Sequence, residues 1–214
     1  MTLSRRTLVL SSAAVAAALA AAAAVLRPFG HTISAAEKQA CGLTVEAVEG
    51  PYWVSGMGEL PDGNLNAASL PGVAVEVSGH VYDGASGNLA IAGAEVEIWH
   101  ADSDGSYHPN GNGPATAYKP GDLALRGFVK TNAAGEYRFT TIYPGEYTGR
   151  ARHFHFKIRA PGKPELTTQL IVPARPGDRL TFDTDDIAEG LPNCQQLAVD
   201  ESTTPARASF DFRV

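Results

Sequence analysis

The stretch that decides the fold is residues 150–158, which read Arg-Ala-Arg-His-Phe-His-Phe-Lys-Ile. Successive side chains along a β-strand point to opposite faces. His153 and His155 would therefore share one face of a strand, and Phe154 and Phe156 would share the other. Imidazoles two residues apart on one face reach two adjacent positions around a metal ion. The alternative is a pair of histidines exposed on the surface of a sheet.

The same period of two recurs along the chain and predicts further strands. Apolar and polar side chains alternate at residues 73–78, 94–98 and 136–139. Clusters of Gly, Asn, Asp and Ser, which favour turns, lie at residues 83–88, 102–105, 110–114 and 132–135. With 22 Gly and 14 Pro, the pattern predicts an all-β fold with a β-sandwich core of mainly antiparallel strands. The long intervals at residues 53–72 and 107–125 are expected to be active-site loops.

The first 36 residues are typical of an export signal and not of a folded domain. Ser4-Arg5-Arg6-Thr7-Leu8 precedes an Ala-rich apolar run over residues 8–26, and small residues at 34–36 could admit a peptidase. Paired arginines before such a run predict a signal of the twin-arginine type, and hence a periplasmic or extracellular protein without stable membrane association once the signal is cleaved. The alternative is an uncleaved membrane anchor. Residues 37–214 are expected to form one domain.

Charge excludes one class of function. The 214 residues carry 17 Lys and Arg against 23 Asp and Glu, a net charge of −6. Residues 1–36 contain three of the arginines and no acid, so 14 basic residues against 23 acidic ones remain, which gives −9. Nucleic-acid binding requires clustered Lys and Arg to displace counterions, and no such cluster follows residue 6. A nucleic-acid partner is therefore not expected.

The two cysteines, Cys41 and Cys194, lie near the ends of the predicted domain. In an oxidising compartment they are expected to form a disulfide, which in the chain-entropy model would stabilise a loop of this length by about 5 kcal/mol. The alternative is two unrelated buried thiols. Two cysteines are too few for a thiolate-rich zinc or iron–sulfur site.

Several motifs surround the His-x-His strand in a fixed order. They include Trp-His-Ala-Asp at residues 99–102 and Thr-Ile-Tyr-Pro-Gly-Glu-Tyr at residues 141–147. Together with Glu-Gly-Pro-Tyr at 49–52 and Thr-Gln-Leu at 168–170, the order resembles that of the intradiol ring-cleavage dioxygenases, the family of catechol 1,2-dioxygenase and protocatechuate 3,4-dioxygenase. The resemblance covers roughly residues 41–175.

The resemblance implies a non-haem ferric site. In that family two tyrosinates and two histidines hold Fe(3+), and the matching positions here are Tyr107, Tyr147, His153 and His155. Ferric iron is a hard cation that favours anionic oxygen. Deprotonating a tyrosine at pH 7 costs about 4 kcal/mol, which a nearby trivalent ion can supply.

The resemblance also implies the reaction. A catechol would bind the iron and be cleaved with O2 to a muconate-type product, with both oxygen atoms retained. Tyr147 would be the ligand that the substrate displaces, and would act as a base. Arg150 matches an arginine beside the substrate, where its charge would stabilise developing negative charge. Gln169 matches a glutamine that lines the same pocket.

Three departures from the family pattern leave the substrate and the oligomeric state open. Only five residues separate Tyr147 from His153, and Arg152 directly precedes the first histidine. The sequence also shows no long helical dimerisation pattern ahead of the strands. A more open site is expected, which would suit bulkier catechols.

Other residues of suitable chemistry are expected to be structural. His100 and His108 flank Tyr107, and Tyr143 competes with Tyr147 for the role of ligand. Tyr52 and Trp53 either line the pocket or pack the N-terminal segment. Further aromatic and acidic side chains are interpreted as core or surface aromatics and as a solvated acidic turn, respectively: Tyr118, Tyr137, Asp183, Asp185 and Asp186.

Two other functions compete with ring cleavage. Residues 77–98 resemble transthyretin-like and carboxypeptidase-regulatory modules, which would make the chain a non-catalytic binding domain. A hydrolytic zinc site on His153 and His155 would need a third ligand, and the sequence places no carboxylate or histidine well for it.

Overall fold

A computed structural model describes residues 42–147 and 149–214. The predicted signal at residues 1–36 and Cys41 lie outside these ranges. The export route, the domain boundary and the Cys41–Cys194 disulfide therefore stay predictions. Among the residues described, no helix is both long enough and apolar enough to cross a membrane.

The described chain is all-β, as predicted. Its strands are β1 (Val54–Ser55), β2 (Ala74–Tyr82), β3 (Glu95–Trp99), β4 (Gly113–Pro114), β5 (Arg126–Lys130), β6 (Glu136–Ile142), β7 (His153–Arg159), β8 (Leu166–Ile171), β9 (Val199–Asp200), β10 (Ala206–Ser209) and β11 (Phe212–Arg213). Short 3₁₀ turns lie at Ala115–Ala117, Pro120–Asp122, Phe182–Thr184, Ala188–Gly190 and Asn193–Gln195.

Two larger sheets form the sandwich. One has the order β5-β3-β7-β8 and is antiparallel throughout. In the other, β2 pairs on one edge with β6, antiparallel, and on the other edge with β10 and β11, both parallel, and β9 pairs with β10. A small parallel pair, β1 with β4, lies apart from both sheets. The prediction of mainly antiparallel strands is confirmed.

The main core lies between the two sheets. Val75 and Val77 of β2 point inward, and Phe154 and Phe156 of β7 face them from the other sheet as parts of one buried cluster. The rings of Phe156 and Phe212 meet across the interface with centroids 4.9 Å apart. Alternation along each strand thus places one row of apolar side chains in the core, as the sequence predicts.

The outer face of β7 is also covered, so the alternative of two histidines exposed on the surface of a sheet is wrong. Residues 153–158 are all buried, because the N-terminal segment of residues 42–60 crosses the sheet. Trp53 Nε1 donates to Glu97 Oε1 at 2.9 Å, and Glu49 pairs with Lys157 at 2.6 Å. Alternation with a period of two in the sequence does not reveal that a segment distant in sequence packs over the strand. The histidines of β7 are therefore not surface residues.

One glycine permits the close contact that joins β10 and β11 to β2. A Cβ atom on Gly79 would lie 1.7 Å from the backbone oxygen of Phe210. We expect Gly79→Ala to lower the free energy of unfolding by about 3 kcal/mol, the upper end of the usual cost of overpacking, since neither backbone can move without breaking the parallel pairing. Chemical denaturation would measure this. Gly58→Ala is the matched control, because nothing lies within 4 Å of its Cβ position, and an equal loss in both variants would contradict the argument.

Candidate metal and active site

A row of side chains crosses the covered face of the four-stranded sheet. Trp99, His155 and Gln169 lie in register on β3, β7 and β8, and residues directly opposite on neighbouring strands share a face. The rings of Trp99 and His155 stack, with centroids 4.8 Å apart and planes 8° apart. His153 lies on the same face, two residues before His155. The predicted placement of both histidines on one face is confirmed.

The two imidazoles present nitrogen atoms to the same point. The Nε2 atoms of His153 and His155 are 3.0 Å apart. His153 Nδ1 lies 2.7 Å from the carbonyl oxygen of Ala151, so its proton is on Nδ1 and its Nε2 carries a lone pair. Burial, reinforced by the charge of Arg150, lowers the pKa of His153 to about 3. Burial and the neighbouring His153 place the pKa of His155 well below its usual value. Both rings are therefore neutral at pH 7, the state that binds metal.

Two tyrosines complete a ring of four side chains. Tyr107 lies 5.6 Å from Tyr147 and 6.3 Å from His155, and Tyr147 lies 5.5 Å from His153, measured between ring centroids. The Tyr107 hydroxyl is buried and has no hydrogen-bond partner of acceptable geometry among the described residues. Burial, with the neighbouring Tyr147 phenol, raises the pKa of Tyr107 well above its usual value. A buried phenol hydroxyl beside two neutral imidazoles is a donor set suited to a cation.

The loops that carry the tyrosines are tied to each other. Asp102 Oδ1 accepts from the backbone N–H groups of Asp104 and Ser106, which fixes the turn before Tyr107. The Asp102 carbonyl also accepts from Gly145 N–H at 2.6 Å. A Cβ on Gly145 would lie 2.3 Å from Gly105 N, so the two loops approach this closely only because glycines are present.

A tight turn places Arg150 beside Tyr147. Residues Tyr147 and Arg150 form an isolated bridge, and Arg150 N–H donates to the Tyr147 carbonyl at 2.9 Å. The short interval noticed in the sequence is therefore a turn that returns the chain directly to the site. Burial raises the pKa of Tyr147, and the charge of Arg150 partly opposes that shift.

Arg150 and Gln169, both predicted to contact substrate, contact each other. Arg150 Nη2 donates to Gln169 Oε1 at 2.6 Å, and Gln169 Nε2 donates to the Val48 carbonyl at 2.6 Å. Arg150 Nε lies 3.1 Å and 3.0 Å from the two carboxylate oxygens of Asp185. The guanidinium group is thus held on two sides.

Asp185 is the residue that the sequence interpretation missed. Asp183 and Asp186 are exposed, as expected of a solvated turn, but the Asp185 side chain is 0% exposed. Hydrogen bonds from Ala151 N–H and the charge of Arg150 outweigh burial and hold the pKa of Asp185 below its usual value. The available signal is a period of three, since the buried residues of this segment fall at Phe182, Asp185, Ala188 and Leu191.

The structure gives different roles to Tyr52 and Trp53, which the sequence left open. The Tyr52 ring stacks on Tyr107 with centroids 4.2 Å apart, so it borders the candidate ligands. Trp53 instead packs the N-terminal segment against the sheet, with Lys157 Nζ 4.4 Å above its ring.

The competing histidines and Tyr143 have partners elsewhere. His100 contacts Ala101 O and Thr141 Oγ1, each at 2.7 Å, and packs against Phe154 on the opposite face of β7. His108 Nε2 pairs with Asp102 at 2.7 Å. The Tyr143 hydroxyl donates to the Pro173 carbonyl at 3.2 Å.

The donor set itself limits which metal could bind. In the part of the chain that the structure describes, no group of three or more His, Cys, Asp or Glu side chains could hold a metal ion. The side-chain oxygens that lie beside the histidine pair are those of Tyr107 and Tyr147. Two imidazoles with two phenolates suit a hard, highly charged ion better than zinc.

Comparison with known proteins identifies the family of the chain. The Dioxygenase family model, Dioxygenase_C, matches residues 48–213. The chain belongs to the intradiol dioxygenase family. It is 31% identical to catechol 1,2-dioxygenase 2 of Acinetobacter lwoffii, over 68% of this chain and 58% of that protein. It is also 31% identical to 6-chlorohydroxyquinol 1,2-dioxygenase of Cupriavidus pinatubonensis, over 85% of this chain and 68% of that protein.

A solved structure of a dioxygenase domain is also similar to this chain. The dioxygenase domain of a dioxygenase carbohydrate-binding protein fusion from Streptomyces sp. SirexAA-E superposes with a TM-score of 0.64 at 32% identity, covering 80% of this chain and 97% of that domain. The catechol 1,2-dioxygenase and hydroxyquinol 1,2-dioxygenase relatives are longer. The alignment to the Acinetobacter lwoffii enzyme spans 58% of its length.

The unpartnered hydroxyl of Tyr107 gives a test that separates function from stability. Tyr107→Phe removes a buried polar group without a partner, so the unfolding free energy of the metal-free protein should stay the same or rise by up to about 1 kcal/mol. Ferric binding should weaken in the same variant. Thermal and denaturant unfolding, with and without metal, would measure both effects.

Tyr137→Phe is the matched control. The Tyr137 hydroxyl is equally buried but donates to the Phe210 carbonyl at 2.7 Å, so its removal should cost about 1 kcal/mol and leave metal binding unchanged. A stability loss of that size in Tyr107→Phe would show that its hydroxyl is satisfied within the fold and would count against a metal role.

Proposed function

We propose that the chain is a non-haem Fe(III)-dependent intradiol dioxygenase, which cleaves catechol-type rings with O2 to muconate-type products. The observation that carries the proposal is the convergence of Tyr107, Tyr147, His153 and His155, with two neutral imidazole nitrogens and an unpartnered buried hydroxyl in one place. The names of the relatives, catechol and hydroxyquinol dioxygenases, support the substrate class.

Each of the four side chains has a part in holding the iron. His153 and His155 would offer Nε2 lone pairs, and Tyr107 and Tyr147 would offer phenolate oxygens. When bound, Fe(3+) supplies the positive charge that deprotonates the phenols and accepts electron density from a chelated catechol, which makes the ring reactive towards O2. Within a chain of net charge −6, this metal and Arg150 are the local positive charges that an anionic substrate would meet.

Tyr107 and Tyr147 differ in burial, which suits them to different roles. Tyr107 is only 4% exposed and is stacked beneath Tyr52, so it suits a permanent ligand. Tyr147 is half-buried and lies in a turn, so a substrate can replace it. The phenolate oxygen of Tyr147 would then take a proton from a catechol hydroxyl as a general base.

Arg150 and Gln169 would receive the substrate on the other side. The guanidinium group lies next to Tyr147 in a tight turn and carries a fixed charge. That charge would stabilise the anionic form of the catechol and the negative charge that develops on oxygen during ring opening. Gln169 would keep the guanidinium group in place through its 2.6 Å hydrogen bond.

Ferric loading tests the proposal directly. Protein reconstituted with Fe(3+) should become burgundy-red from tyrosinate-to-iron charge transfer and should consume O2 with a catechol, yielding a ring-opened dicarboxylate. An oxygen electrode and mass spectrometry over catechol, protocatechuate, hydroxyquinol and caffeate-like compounds would rank the substrates. Zinc-loaded protein, which should be colourless and inactive, is the control. Colourless ferric protein would overturn the site, and catechol binding without O2 uptake would favour a binding module.

Replacement of Tyr147 tests the division of labour between the tyrosines. Tyr147→Phe should lower kcat by about 10²–10⁴-fold, the usual contribution of a general base, while iron retention falls much less. Tyr107→Phe serves as the comparison and should lose iron more readily. Stopped-flow absorbance and iron analysis after dialysis would measure the two effects. Parallel loss of iron and of activity in Tyr147→Phe would contradict the base role.

A further inference from the structure

We infer that Asp185 is a positioning residue, which orients both the Arg150 guanidinium group and the His153 imidazole for the proposed reaction. The inference rests on the proposed function for the meaning of these two groups. The contacts that support it belong to the fold itself. Asp185 lies in the segment that follows β8, far from both residues in sequence. Its contacts with the site are therefore tertiary contacts and not a consequence of local structure.

The Asp185 carboxylate receives only N–H donors. Oδ1 accepts from Arg150 Nε at 3.1 Å, from Ile187 N–H at 2.9 Å and from Ala188 N–H at 3.2 Å. Oδ2 accepts from Arg150 Nε at 3.0 Å and from Ala151 N–H at 2.7 Å. With the side chain 0% exposed, water cannot replace any of these contacts. Both oxygens must therefore be acceptors, which an amide side chain cannot provide.

The first route leads to the substrate through Arg150. Its Nε is taken by Asp185, and its Nη2 donates to Gln169. Nη1 has no hydrogen bond of acceptable geometry among the described residues, and the Arg150 side chain lies close enough to the Tyr147 phenol to oppose the rise of its pKa. The plane of a guanidinium group is rigid, so fixing Nε and Nη2 also fixes the direction in which Nη1 can donate to an anion.

The second route leads to the proposed metal ligand His153 through the backbone of one residue, Ala151. Asp185 Oδ2 holds the N–H of Ala151, and the carbonyl of the same residue accepts from His153 Nδ1, each at 2.7 Å. A metal-binding histidine usually donates its other ring N–H to such an acceptor, which sets its tautomer and orientation. Here one carboxylate orders that acceptor and the cationic group together.

A purely structural role is the rival explanation, because Asp185 also holds the 3₁₀ turn at Ala188–Gly190 through Ile187 and Ala188. Such a role would affect only the fraction of folded protein. A positioning role would change the behaviour of protein that is already folded. The two are separated by measurements made on the folded fraction and by coupling to Arg150.

The test compares Asp185→Asn with Asp183→Asn, which removes the same charge from an exposed position two residues away. In the ferric protein, Asp185→Asn should lower kcat/KM for catechol at least tenfold and weaken binding of the chromophoric probe 4-nitrocatechol. Asp183→Asn should stay within twofold of the wild type. In an Arg150→Gln background, Asp185→Asn should reduce the affinity for 4-nitrocatechol by a smaller factor than it does in the wild type, because the route through Arg150 has gone and only the route through His153 remains.

Two results would overturn the inference. One is unchanged kcat/KM and probe affinity in folded Asp185→Asn, with only the melting temperature lowered. The other is full multiplication of the two losses in the double variant, which would mean that the residues act independently.

Nitrogen-15 NMR of the metal-free protein gives a measurement that needs neither turnover nor a folded variant. In the wild type, His153 should carry its proton on Nδ1, and that proton should exchange much more slowly than the ring protons of the partly exposed His80. Fast exchange or protonation at Nε2 would overturn the second route. Failure of the proposed function would appear differently, as a wild-type protein without ferric colour or O2 uptake, whatever the state of His153.

Discussion

The structure depends on the burial of β7 on both faces. A strand with one face in water can leave its polar groups to the solvent, but the outer-face side chains of this strand must find partners inside the protein. His155 stacks on Trp99, and Lys157 pairs with Glu49 and Glu165. Trp99 comes from the neighbouring strand β3, and the two glutamates come from segments outside the strands. The covering segments and the site are thus consequences of the same constraint.

Burial also sets the electrostatics of the site. It keeps the two imidazoles neutral and favours the protonated form of both phenols. Without a metal, the chain holds four uncharged donors close together, with the Arg150 cation beside them. Binding of a trivalent ion would reverse the preference of the phenols by direct charge interaction. The four candidate ligands are therefore uncharged in the metal-free protein. Each phenolate would form only when the ion is present.

The sequence was sufficient to predict what repeats or follows a local rule. The period of two predicted the sandwich and placed His153 and His155 on one face, and both predictions are confirmed. It could not predict the cover over β7, because residues 42–60 have no regular structure apart from the two-residue strand β1 and their contacts join positions distant in sequence. Asp185 was missed for a related reason. In the sequence it stands among exposed aspartates, and only its spacing of three from Phe182 and Ala188 distinguishes it.

The tight turn between Tyr147 and Arg150 explains why a distant carboxylate matters. A longer loop could hold an arginine over the site through its own packing. Here only two residues separate the phenol from the arginine, so the turn fixes the backbone of Arg150 but not its long side chain. The direction of the guanidinium group must come from outside the turn, and Asp185 and Gln169 supply it from two different segments. Removing one partner of a buried ion pair usually costs about 3–5 kcal/mol, so this pairing also fastens the segment after β8 to the site. The position of the charge beside the candidate ligands is therefore a property of the tertiary structure and not of the motif that contains Arg150.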